Sequence, residues 1–233
     1  LTTTWGQGWG YNSLLEPIDG TLPPTGCVAT AIAQVMKYHE YPSNYNWSLM
    51  PNTYGTNETA LLMKDIGEAV HMDYGVIESG ASMSDAKSAL VNDFGYSSTA
   101  SYINYTVGSV VSEISNYRPV IMDGYNTYYT TTSGWWIFEQ TTHHYEQGHA
   151  WVCDGYKRRK YYTTYNYGTP DEYTESNGYG PYYLHMNWGW GSSGAHINGW
   201  FLYDHWEIDG SNFTDGNPRD YQYRKKCIIG IKP

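Results

Sequence analysis

The hydrophobic period of this chain changes once, near residue 118, and that change constrains the fold more than any other feature. Before it, apolar residues recur at helical spacing. Residues 27–40 place Val28, Ala31, Ile32, Val35 and Met36 on one face. Thr25-Gly26 precedes this run, and Tyr41-Pro42 ends it because proline disfavours helix at the residue before it. Residues 58–71 predict a second helix with Leu61, Leu62, Ile66, Ala69 and Val70 inward. Residues 84–94 predict a third, with Ser82 or Ser84 as N-cap, and 107–117 a shorter fourth. After residue 118 the runs 119–125, 149–156, 160–165, 182–188 and 227–231 read as strands separated by Gly, Asn and Ser. Two stretches show no clear period: 126–148, which contains Trp135-Trp136, and 204–225. The pattern predicts an α+β chain with a helical lobe over about 13–117 and an antiparallel sheet lobe over about 118–233. Ligands tend to bind in a cleft between such lobes, with residues 1–12 contributing to it.

Composition excludes several classes. The 233 residues carry 13 basic and 23 acidic side chains, a net charge of −10, which opposes binding to a phosphate backbone. No nucleic-acid partner is expected. No apolar run approaches the ~20 residues that a membrane span needs, and no basic-then-apolar leader opens the chain. Charged residues are only 15% and aromatic ones 17%, with Tyr far ahead of Phe, so disorder is excluded. Rings with polar handles suit a rigid extracellular surface or a carbohydrate- or peptide-binding one. Three cysteines, Cys27, Cys153 and Cys227, leave at least one thiol unpaired within the chain; a Cys153–Cys227 disulfide is open. Cys153, four residues after His149, reads as core. His143, His144, His149 and Glu146 do not form the closed, short-spaced Cys/His set of a structural zinc site, and neither metal nor cofactor is expected.

Five residues carry possible chemistry. Cys27 opens the best helix, where the helix dipole and unpaired N–H groups favour thiolate. Gly26 before it allows close backbone approach. His149 opens a predicted strand after Gly148, a second point of close approach, and a neutral imidazole near a thiol can take its proton. Asn187 can orient that imidazole, and Trp188 can roof the contact against water. The Gln7 side chain, with the Cys27 N–H, can form an oxyanion hole. The order Gln, Cys, His, Asn, with a Cys-to-His gap of 122 residues and a Cys-to-Asn gap of 160, lies near the ~130–150 spread of papain-like enzymes.

These stretches resemble the streptopain family of secreted bacterial cysteine peptidases, a branch of the papain-like fold. The similarity is carried by Trp5-Gly6-Gln7, Thr25-Gly26-Cys27-Val28-Ala29-Thr30, Met72-Asp73-Tyr74-Gly75, Arg118-Pro119-Val120, Gly148-His149-Ala150-Trp151-Val152-Cys153-Asp154-Gly155, His185-Met186-Asn187-Trp188-Gly189-Trp190-Gly191 and the terminal Ile229-Gly230-Ile231. The resemblance implies a Cys27 nucleophile, a His149 general base and acid, a Gln7 oxyanion donor, and either Asn187 or Trp188 orienting His149. It also implies export as a zymogen whose pro-segment covers the cleft, with a secreted, periplasmic or cell-surface location. Leu1 stands six residues before Gln7, the expectation for a mature form. Loops 126–148 and 157–181 and the run 191–196 depart from the family pattern beside the cleft, so substrate preference does not carry over. The expected activity is endopeptidase action on proteins or peptides through a thiolate–imidazolium pair and a thioacyl-enzyme. Amidase or transglutaminase-like acyl transfer, or a non-catalytic aromatic-rich binding module, are the alternatives.

Overall fold

The computed structural model describes residues 1–134 and 140–233; Trp135 and Trp136 lie outside the described residues. The first helix, α1 (Cys27–His39), is buried along almost its whole length from Val28 to Met36. Around it pack α2 (Asn57–Ala69) and α3 (Met83–Asn92), followed by a short strand β1 (Ser101–Asn104) and α4 (Val107–Ser115). Their N-termini follow the capping rule. Thr56, Ser82 and Thr106 each accept a first-turn N–H, satisfying donors that would otherwise be orphaned. One predicted inward residue points out: Leu61 is 40% exposed, while Leu62, Met63 and Ile66 fill the α2 interface.

Three long strands then dominate: β2 (Val120–Ser133), β3 (Gln140–Tyr165) and β4 (Tyr173–Asn187). Together with β5 (Gly199–Leu202) and, beyond a two-strand pair of β6 (Glu207–Ile208) and β7 (Arg219–Asp220), the terminal β8 (Tyr223–Ile229), they build the main sheet. It is antiparallel throughout, in the order β1-β8-β2-β3-β4-β5. Thus β1, which precedes residue 118, is an edge strand of the sheet rather than part of the helical layer.

Strand alternation sorts side chains between two cores. Ile121, Ala150, Val152 and Ile228 face α1, α2 and α3. Their neighbours Val120, Met122, Trp151, Cys153 and Cys227 face the opposite side, where they pack with Val110 of α4 and with Trp188 and Trp206. Cys153 and Cys227 are buried there as free thiols, and Cys27 is also unpaired.

Of the two stretches without a clear period, the described parts of 126–148 are largely strand, whereas 204–225 holds only the short β6 and β7 and the start of β8 among turns. Residues Thr127–Ser133 pair with Gln140–Glu146, and Lys157–Tyr165 pair with Tyr173–Tyr183, so two ribbons project beyond the packed sheet. Both are mostly solvent-exposed. With no face to bury, their sequences need no apolar alternation.

Candidate active site

The site begins at the N-terminus of α1. Gly26 has φ 88°, a conformation that disfavours any residue with a Cβ, and a Cβ there would come within 2.7 Å of the Met72 sulfur and 3.0 Å of the Ser79 carbonyl. Glycine therefore lets the chain turn sharply into the helix while the 71–83 loop packs directly against it. Cys27 follows, half-buried at the floor of a cleft of about 900 Å³. One wall is that loop; the other comes from Asp123, Gly124 and Tyr125 of β2 and from Glu146–Ala150 of β3.

His149 lines the same cleft. Its neighbour Ala150 directs a backbone N–H at the Cys27 sulfur, as do the N–H groups of Val28 and Cys27 itself. Burial nevertheless dominates and raises the Cys27 pKa, with Asp123 adding in the same direction. The sequence reading expected the helix terminus to lower it; loss of solvent around the sulfur outweighs the N–H donors. Burial also pushes the His149 imidazole down to about 4, opposed by a bond to the Trp188 carbonyl.

That bond fixes the ring. His149 Nε2 lies 2.8 Å from the Trp188 carbonyl oxygen. A carbonyl only accepts, so Nε2 carries the hydrogen and Nδ1 keeps its lone pair in the neutral ring. The ring also lies between aromatic faces, with Trp190 and Tyr221 centroids at 5.1 and 5.4 Å. Trp188 itself is anchored: its N–H donates to Asn198 Oδ1 at 2.9 Å, and its ring packs on Trp151 and Phe201.

Asn187 is used elsewhere. Its amide donates to the Thr3 carbonyl at 2.7 Å, and its oxygen accepts from Gly189 N–H at 3.3 Å. It thereby ties the N-terminal segment to the turn after β4. The same segment is clamped again where Gly191 N–H donates to the Trp5 carbonyl at 3.0 Å. A Cβ on Gly6 would stand 2.8 Å from Gly191 Cα, so only glycine permits this approach. One residue further on, the Gln7 carbonyl accepts from Thr25 N–H at 2.9 Å, which brings Gln7 alongside the approach to Cys27. The Gln7 amide has no hydrogen-bond partner among the described residues. Gln7, Asn187, Trp188 and Gly26 are not among the residues lining the cleft, whereas Gly148 is. A Cβ on Gly148 would meet the Tyr125 ring at 2.9 Å, so that glycine serves wall packing.

Sequence reasoning missed Asp123, Trp190 and Tyr221 as site residues. A single acid inside the apolar run Pro119–Tyr125 was the available signal for Asp123. His143 and His144 sit on the β2–β3 ribbon with hydroxyl partners, Tyr128 and Thr131, each at 2.7 Å. Among the described residues no group of His, Cys, Asp or Glu is arranged to hold a metal.

Known proteins resemble this arrangement. The model of the Peptidase C10 family matches residues 5–46 and 43–201. Streptopain of Streptococcus pyogenes is 26% identical over 98% of this chain and 60% of its own length. The thiol protease/hemagglutinin PrtT of Porphyromonas gingivalis is 26% identical over 98% of this chain and 26% of its own length. Active wild-type interpain A, a cysteine protease of Prevotella intermedia, superposes with a TM-score of 0.68 at 26% identity, over 100% of this chain and 94% of that one. A prointerpain A fragment gives 0.65 over 100% and 72%. The α+β architecture is therefore the papain-like one of interpain A, and the chain spans about 60% of the length of streptopain.

Proposed function

The chain belongs to the Peptidase C10 family, and from that premise we propose that it is a cysteine endopeptidase in which Cys27 is the nucleophile and His149 the proton carrier. One observation carries the reading. The sulfur and the imidazole open on one cleft, the His149 Nε2–H is held by the Trp188 carbonyl, and Nδ1 is left as the basic atom.

The chemistry follows from that arrangement. Burial disfavours a lone thiolate and a lone imidazolium. Transfer of the thiol proton to Nδ1 makes both charges at once, and their mutual attraction offsets the desolvation. The Cys27 thiolate then attacks the peptide carbonyl. The oxyanion rests on the Cys27 N–H at the helix terminus and on the Gln7 amide. His149 gives its proton to the leaving amine, then takes one from the water that cleaves the thioacyl-enzyme. The Trp188 carbonyl is the orienting group, because it accepts from Nε2–H throughout and stabilises the imidazolium. Asn187 acts one step away, by holding the turn on which Trp188 sits.

The reading extends to release from a precursor and action outside the cell. It draws support from the pro-form of interpain A and from the family resemblance in the sequence. Among the described residues no helix is long and apolar enough to cross a membrane. The test is hydrolysis of an unfolded protein substrate by wild type and by Cys27→Ala. Removing the nucleophile costs on the order of 10³-fold or more in kcat. Undiminished cleavage by Cys27→Ala refutes the mechanism.

A further inference from the structure

We propose that the base of the exposed β3–β4 ribbon binds an acidic polysaccharide, a chain of sugar rings bearing carboxylate or sulfate groups. Four of the 13 basic side chains, Lys157, Arg158, Arg159 and Lys160, are consecutive on β3. In a chain of net charge −10 they reverse the sign locally, and such runs attract polyanions. All four are exposed, and none belongs to an ion pair among the described residues. None of them lines the cleft.

The cations are interleaved with aromatic rings. Arg158 lies 4.6 Å from the Tyr179 ring centroid and 4.4 Å from that of Tyr182. Lys160 lies 5.7 Å from the same Tyr179 ring and 5.1 Å from Tyr162. Both cations therefore share Tyr179, which is 57% exposed. Tyr156 extends the row, with its ring 6.0 Å from that of Tyr182. From Tyr156 to Tyr162 a strand rises about 20 Å, so rings and charges alternate over that length. Contact with the rings holds the long side chains in place, and less rotamer freedom is lost when a ligand pairs with them. Arg158 donates from Nε to the Gly180 carbonyl at 3.1 Å and from Nη1 to the Tyr182 hydroxyl at 3.2 Å. Its Nη2 has no partner among the described residues. It is thereby left to donate to a carboxylate or sulfate oxygen, the stronger kind of hydrogen bond.

A sugar chain fits this row better than other polyanions do. The C–H face of a sugar stacks on the negative face of an aromatic ring, and tyrosine adds a hydroxyl for the ring substituents. Residues 156–183 contain nine tyrosines and no Leu, Ile, Val, Met, Phe or Trp, so the ribbon offers no apolar wedge to a bilayer. A nucleic acid presents a charge at every phosphate, and Asp171, Glu172 and Glu175 toward the tip of the same ribbon oppose it. Acidic groups spaced along sugar rings match cations spaced between tyrosines.

The experiment is titration calorimetry of the full chain carrying Cys27→Ala, which does not cleave itself, with a heparin oligosaccharide in about 50 mM NaCl. The comparison ligands are a neutral dextran oligosaccharide, single-stranded oligo-dT of equal charge and phosphatidylserine vesicles. The expected result is a Kd for heparin below about 100 μM, at least about tenfold tighter than for any comparison ligand. Removing both shared cations, Arg158→Gln with Lys160→Gln, should weaken heparin binding by about tenfold or more. Tyr179→Leu, which keeps every charge, should weaken it by about threefold or more. Circular dichroism melting of each variant confirms that it is folded, and the wild-type ligand comparison needs no variant. Absence of heparin binding by the wild type overturns the proposal. So does equally tight binding of oligo-dT or of vesicles, which would make the patch a general anion surface. Undiminished binding by the folded double variant or by folded Tyr179→Leu overturns it as well.

Discussion

Replacing Asn187 by alanine separates two roles that sequence alone leaves merged. If the side chain oriented His149, its loss would strike catalysis. In the structure it bridges the Thr3 carbonyl at 2.7 Å and Gly189 N–H at 3.3 Å, in a residue only 3% exposed, and on the reading proposed above it serves the fold. Alanine removes both bonds and leaves a buried carbonyl and a buried N–H without partners. Each bond contributes about 1 kcal/mol net, and an unsatisfied buried group costs somewhat more, so the loss comes to about 2–3 kcal/mol. For a chain of this size each kcal/mol moves Tm by about 2–4 °C, which predicts a drop of about 4–12 °C. The imidazole keeps its partner, because Trp188 is anchored through Asn198 and through its own ring contacts. Accordingly kcat on a short peptide should fall less than about tenfold, with an unchanged pH profile. Tm is best read by circular dichroism in a Cys27→Ala background, which prevents self-cleavage, and kcat in the Asn187→Ala single variant. A fall in kcat of a hundredfold or more with Tm unmoved would refute this assignment and return the orienting role to Asn187.

Three further outcomes are expected. An alkylating thiol reagent should modify one cysteine per native chain, at Cys27, and three after denaturation, since Cys153 and Cys227 are fully buried; mass spectrometry of the labelled chain gives the count. The His149 imidazole is lowered in the folded state to about 4 against 6.5 when unfolded, so the unfolded chain takes up the proton first as pH falls. Stability from this group is present above about pH 6.5, is lost progressively down to about pH 4 and changes no further below that, a span of about 3 kcal/mol. Chemical denaturation of His149→Gln should therefore show a correspondingly smaller loss between pH 7 and 4.5, and an identical loss would refute it. Shortening the exposed β3–β4 ribbon by replacing residues 160–178 with a tight turn should lower Tm by less than about 3 °C, because its strands bury little; a variant that fails to fold would contradict this.

What the sequence reveals and hides follows from what each element buries. The four helices were legible because each needs an apolar stripe against a core, and of the two expected caps Ser82 and Ser84 it is Ser82 that caps α3. Strands were legible where alternation divides side chains between two cores, as at Val120–Met122 and Ala150–Cys153. They were illegible along 126–133, 140–148 and 173–181, where the strands pair but no face is buried, so hydrogen bonds hold a strand that leaves no hydrophobic trace. The proposed active centre divides in the same way. Cys27 and His149 announce themselves by side-chain chemistry at the start of an element. The group that holds His149 is a main-chain carbonyl, and every residue has one, so composition could not choose Trp188 over Asn187. Asp123 is the converse case. Its type was visible inside an apolar run, and a buried acid calls for a reason. In the structure its register partner is Ala150, next to His149 on the wall of the cleft, and neither pairing nor cleft could be read from the run itself.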